Sequence, residues 1–219
     1  MARKKSTSKG GFDMKSAVKK TVPVLIVLAL LAGGGFFAKN LMTGKPETGF
    51  QKGMGYVTWS KNGYNTDNSD ESIVLVKELG SNWIAIHTTW YQTTCWSGDI
   101  MPTEKTPSDE ALTRAIRTAH ESGMKVMLKP HLVLIDKTDG SWRGEIGCTL
   151  EADWDKWFVK YTNFILHYVE IANKEGVEMM CIGTELSSSA TAKGYLWNDL
   201  IKTVRANYKG LLTYAAHWY

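Results

Sequence analysis

The feature that most constrains this chain is a regular alternation of strand and helix signals. Short runs of apolar, β-branched and aromatic residues begin near residues 54, 83, 125, 178 and 211, and helical patterns separate them. Such alternation implies an α/β fold with a parallel sheet and right-handed crossovers. Gly53–Trp59 reads as the first strand. Ser69-Asp70-Glu71 opens a helix that runs through Leu79 and stops at Gly80. Trp83–Thr88 is almost continuously apolar, as a strand covered on both faces must be. Ser108-Asp109-Glu110 caps the next helix, which Gly123 ends, and Lys125–Pro130 is a third strand whose ladder should stop at the proline. The longest helix, Asp153–Glu175, carries Trp157, Phe158, Tyr161, Phe164, Ile165 and Tyr168 near helical spacing. A strand ending at Glu185, a helix from Tyr195 to Asn207 and a strand at Leu211–Ala216 complete the pattern.

Two architectures fit: an open doubly wound sheet, or a (β/α)8 TIM barrel. A dinucleotide-binding sheet needs a glycine-rich turn after its first strand. Here Gly53-Met54-Gly55 stands at that strand's start, and no G-x-G-x-x-G follows. The barrel is favoured, because large aromatic and polar residues gather after the strands: Trp59, Trp90, His131, Glu185 and Trp218. Barrel enzymes do their chemistry at the C-terminal ends of the strands. Met179–Thr184 reads as a buried strand that ends abruptly in the carboxylate of Glu185, followed by a small polar stretch that reads as a loop. Glu185 is the candidate acid/base; its structural alternative is a carboxylate that merely caps the following turn.

Charge is unevenly placed. Residues 1–20 hold seven Lys/Arg against Asp13 alone, while the remainder holds 19 basic and 21 acidic residues. A mildly acidic body gives no electrostatic case for nucleic acid. The basic tail (1–21) leads into Val22–Ala38, seventeen uncharged residues, which are just enough to cross a bilayer. Positive charge ahead of this segment predicts a membrane anchor with the body outside, extracellular or periplasmic. A cleaved signal peptide and a secreted body are the alternative. Residues 39–52 are a Gly/Pro-punctuated linker, and 53–219 form the body. An exported body permits disulfides; Cys95 and Cys148 both fall in loops on one face and are the candidate pair, while Cys181 reads as a core residue. No spacing resembles a metal site, and neither a cofactor nor an obligate protein partner is expected.

Four motifs in order, Lys129-Pro130-His131, Trp142-Arg143-Gly144-Glu145-Ile146, Asp153-Trp154-Asp155-Lys156-Trp157 and Ile182-Gly183-Thr184-Glu185-Leu186, resemble glycoside hydrolase family 113. That resemblance runs from about Gly53 to Tyr219. It implies a retaining β-glycosidase, most like a β-1,4-mannanase, acting on β-linked polysaccharide or oligosaccharide. By the same resemblance Glu185, closing strand four, matches the acid/base. The nucleophile of such enzymes closes strand seven, and the pattern here stops at strand five. The expectation is therefore an incomplete barrel, β1 to β5, inactive alone; a finished half-barrel closed by a partner chain is the alternative. His87, Lys129, His131 and His217 would bond sugar hydroxyls and Glu185, and Trp59, Trp90, Trp142 and Trp218 would stack on pyranose faces. Trp154, Trp157 and Trp197 lie in helices and read as packing, and Asp99, Glu104 and Glu145 as solvated loop carboxylates. A glycan-binding surface module without catalysis is the competing function.

Overall fold

The computed structural model describes residues 49–218; the basic tail, the apolar segment 22–38 and most of the linker lie outside the described residues. The chain divides into two units at Phe50, and the fold concerns the second, from Gln51 on. Among the described residues no helix is long and apolar enough to cross a membrane.

Five strands form one sheet: β1 (Gly53–Tyr56), β2 (Trp83–Gln92), β3 (Lys125–Leu134), β4 (Met179–Thr184) and β5 (Leu211–Ala215). Between them lie α1 (Asp67–Glu78), α2 (Asp109–Glu121), a 3-10 turn at Arg143–Glu145, α3 (Glu151–Glu175), α4 (Ser187–Ala192) and α5 (Gly194–Asn207). Every pairing is parallel, and the spatial order follows the chain order. That order separates the two architectures. A doubly wound sheet reverses at a switch point, whereas a barrel adds each strand beside the last. The fold matches the first five strands of a (β/α)8 barrel.

Side chains on β2 and β3 alternate between two environments, as the period of a strand demands. Ile84, Ile86, Val126, Leu128, Leu132 and Leu134 are buried on the helix side. There Trp157, Tyr161, Phe164 and Tyr168 of α3 complete an aromatic core. Its buried polar atoms are paired: the Thr88 hydroxyl donates to Tyr168 Oη at 2.7 Å, and the Trp157 indole N–H donates to Gln92 Oε1 at 2.8 Å. The opposite, axis-facing set includes Ala85, His87, Met127, Lys129, His131 and Val133, all half-buried.

Several sequence expectations are corrected. Trp90 shares the strand parity of Thr88 and Gln92, so its ring packs on Phe164 (5.2 Å) and His167 (5.6 Å) of α3 and not over the mouth. Pro130 does not end β3; it pairs with Thr88, and the strand continues to Leu134. The proline is tolerated because the β3–β4 ladder already ends at Leu128↔Met180, so its missing N–H leaves no gap on that side. Helix α1 is capped by Thr66, whose hydroxyl accepts from Ser69 N–H, and starts at Asp67. Residues 187–192, read as loop, are a short helix.

The expected Cys95–Cys148 bridge is absent, and all three cysteines are free. The two loops do meet, since the Gly147 N–H donates to the Cys95 carbonyl at 3.0 Å. Their surroundings differ: Cys95 is buried in the apolar core, whereas Cys148, at the edge of that core, also lines a surface cleft beside Trp96 and Asp153. Cys181 is a core residue, as expected.

Candidate active site

The site is built around the point where β4 gives way to α4. Gly183 has no room for a side chain: a Cβ there would lie 2.6 Å from the ring of Tyr214 and 2.7 Å from that of Trp197. This close approach accompanies a slip in the β4–β5 register between Cys181 and Thr184. Two residues later Glu185 takes φ of 55°, the left-handed region, and it is the only non-glycine among the described residues to do so. A side chain pays strain there and holds the conformation only where its surroundings over-determine it. Here both flanking peptides are pinned. Glu185 N–H donates to the Ala215 carbonyl at 2.8 Å, and Leu186 N–H donates to the Tyr214 hydroxyl oxygen at 2.9 Å.

The carboxylate so presented faces a cation. Arg143 Nη1 lies 3.4 Å from Glu185 Oε2, with the two side chains 24% and 33% exposed. Arg143 is held by its turn. Glu145 accepts from Trp142 N–H at 3.0 Å, and the Trp142 indole covers Gly144, where a Cβ would fall 2.2 Å from the ring. Glu145, read as merely solvated, is exposed yet serves as this cap. Asp99, likewise, accepts from the Thr93 hydroxyl and N–H.

Two histidines lie on the axis-facing side of the sheet. His87 on β2 and His131 on β3 stack at 4.7 Å with rings 26° apart. Gly55 of β1 makes space for the first, since a Cβ there would already touch His87 Nε2 at 3.4 Å. Burial, then Lys129 and Arg143, lower His87 to about 4. Burial, then His87, Arg143 and Lys129, lower His131 to about 3. Both imidazoles are therefore neutral at pH 7, able to donate and accept. His131 Nε2 is buried and without a hydrogen-bond partner. A buried nitrogen of this kind is suited to pair with a polar ligand atom.

The far side of the site is aromatic. His217 follows β5 and packs on Trp142 at 4.7 Å and on Trp218 at 5.9 Å. Trp218 is 84% exposed. Thus Arg143 joins Glu185 directly, Lys129 and Arg143 act on His87 and His131, and His217, Trp142 and Trp218 form a second group. Trp90 packs on α3, and Trp59 lines a cleft with Tyr91 and Val133. Reading the sequence missed Arg143 and Tyr214. The former stood inside the Trp142–Ile146 motif but was given no role; the latter looked like an ordinary strand aromatic. Among the described residues no cluster of three or more His, Cys, Asp or Glu could hold a metal ion.

The family model for Glycoside Hydrolase Family 113 matches residues 54–219. A solved GH113 β-1,4-mannanase, determined as a complex, is 31% identical with a TM-score of 0.71, over 78% of this chain and 56% of its own. The GH113 β-mannanase AaManA from Alicyclobacillus acidocaldarius, in complex with ManMIm, is 29% identical with a TM-score of 0.71, over 78% of this chain and 55% of its own. The chain thus spans a little more than half the length of these enzymes. No curated protein matches it.

Proposed function

Because the chain belongs to Glycoside Hydrolase Family 113, we propose that it supplies the acid/base half of a retaining β-glycosidase acting on β-1,4-mannan or related β-linked chains. The observation that carries this reading is the placement of Glu185: strained, pinned through both flanking peptides, at the C-terminal end of β4 and facing Arg143. The likeness to β-1,4-mannanases supports the substrate class.

In such a reaction the protonated acid gives its proton to the leaving glycosidic oxygen, while a second carboxylate about 5–5.5 Å away attacks the anomeric carbon. Glu185 takes the first role, and Arg143 stabilises the carboxylate left after transfer. In the second step Glu185 removes a proton from the attacking water. The neutral imidazoles of His87 and His131 bond sugar hydroxyls without competing for the proton, with the open Nε2 of His131 as one contact. Trp142 and Trp218 offer ring faces beside them. The nucleophile is not assigned to any of the described residues.

The test compares Glu185→Gln with the parent in the protein that carries this chain. Release of reducing sugar from β-1,4-mannan should fall about 10²- to 10⁴-fold, with mannohexaose binding nearly unchanged. Equal hydrolysis by both would overturn the assignment. A non-catalytic glycan-binding module is the second reading, favoured by the exposed Trp218; it expects no hydrolysis by the parent and no effect of Glu185→Gln on binding. We further propose that residues 22–38 anchor the protein in a membrane with its body outside, extracellular or periplasmic, or are removed on secretion. The seven basic residues ahead of an uncharged stretch support this.

A further inference from the structure

Tyr214 of β5 reaches the turn after β4 from behind the sheet. Its ring meets that of Trp197 on α5 edge to face, 5.3 Å apart at 89°, and occupies the space that Gly183 leaves open. It therefore lies on the helix side, and its hydroxyl oxygen accepts from Leu186 N–H at 2.9 Å. Leu186 is held at its carbonyl as well. The Ser189 hydroxyl donates to that oxygen at 3.0 Å, and the Trp197 indole N–H donates to Ser189 Oγ at 3.3 Å. Leu186 and Ser189 are both buried.

The two peptides beside Glu185 fix its backbone separately. The bond from Glu185 N–H to the Ala215 carbonyl orients the peptide before it, and hence φ. The bond from Leu186 N–H to Tyr214 orients the peptide after it, and hence ψ. The first bond joins main chain to main chain and needs no side chain. The second depends on a single phenolic oxygen. One hydrogen bond and the strain of a left-handed residue are of similar size. Loss of that oxygen therefore lets the peptide turn, and the carboxylate turns with it.

We propose that Tyr214 is a positioning residue, which acts through the Leu186 peptide to set the direction in which Glu185 delivers its proton. This rests on the glycosidase reading and adds to it the group, on the next strand, that aims the acid.

The test compares kcat/KM for two substrates in the protein that carries this chain. In β-1,4-mannohexaose the leaving sugar needs a proton; in 2,4-dinitrophenyl β-mannobioside the leaving phenolate does not. Tyr214→Phe keeps the ring and removes the oxygen. It should lower kcat/KM on the hexaose about ten- to a hundredfold, the scale of a small misplacement of a reacting group, and on the aryl glycoside by less than about threefold. Ser189→Ala, which loosens Leu186 at its carbonyl, should show the same selectivity to a smaller degree, and it decides the matter if Tyr214→Phe does not fold. Tyr208→Phe is the structural control: it removes a buried bond of 2.7 Å to the Val177 carbonyl just before β4, and should leave kcat/KM on both substrates unchanged. Equal losses on the two substrates, or no loss on either, would overturn the positioning role and leave the glycosidase reading standing. A hexaose-selective loss in Tyr208→Phe would overturn it too, because any buried hydroxyl would then have the same effect. Failure of the parent to cleave either substrate would overturn the glycosidase reading itself, and this role with it.

Discussion

Arg143, on the 3-10 turn after β3, lies 3.4 Å from the carboxylate of Glu185 at the end of β4, so the cation and the candidate acid/base arrive from different strands to meet at one mouth. The pair is only partly exposed, which weakens solvent screening between its charges. Arg143→Ala should therefore lower kcat by about 10²-fold, the usual cost of removing one preorganised electrostatic partner. Steady-state kinetics on β-mannan checks this, and Arg143→Lys should recover only part of the loss because a point charge replaces a fork.

Glu185 gives a second, opposite expectation. Its left-handed backbone costs about 1–2 kcal/mol that glycine would not pay. Glycine in turn loses about 0.4–1 kcal/mol through greater freedom in the unfolded chain. Glu185→Gly should thus be as stable as the parent or up to about 1.6 kcal/mol more stable, while losing activity. A urea denaturation series decides, and a clear loss of stability would mean that the strain is not real.

At Gly183 the expectation is destabilisation. A methyl group would meet the rings of Tyr214 and Trp197 inside 3 Å, and both rings are packed. Gly183→Ala should cost about 1–3 kcal/mol and disturb the Tyr214 hydroxyl that holds Leu186 N–H. Thermal melting measures the first effect and kcat the second.

The two histidines predict an acid-labile fold. Their folded values, about 4 for His87 and about 3 for His131, lie below the ordinary value of 6.5. As pH falls through 6.5 the unfolded chain takes up protons that the folded chain refuses, so stability drops. The loss is steepest between about pH 6 and pH 4 and levels off only once the folded imidazoles are themselves protonated. With both groups contributing, the slope approaches about 2.7 kcal/mol per pH unit. His131→Gln should roughly halve it, as read from denaturation midpoints between pH 4 and pH 7.

Much of this architecture was legible in the chain. The alternation of strands and helices, the cap at Ser108 and the stop at Gly123, the aromatic face of the long helix and the abrupt carboxylate after Ile182-Gly183-Thr184 all follow from local chemistry, which reads one element at a time. What lay between elements did not. The parity that turns Trp90 under α3 depends on strand register, and Pro130 is harmless only because the β3–β4 ladder stops short of it. Cys95 and Cys148 sit in touching loops yet stay free thiols, one buried and one half-buried, a matter of how the two loops pack.

The sequence by itself determined that a parallel α/β sheet forms and that Glu185 closes its fourth strand, because periodicity and punctuation are local signals. Only the tertiary structure decided which side chains share a face. It brought Arg143 to Glu185, stacked His87 on His131 across two strands, and pinned a strained glutamate with Ala215 and Tyr214. Those relationships join residues 28 to 44 positions apart, and only packing of the whole sheet fixes such distances.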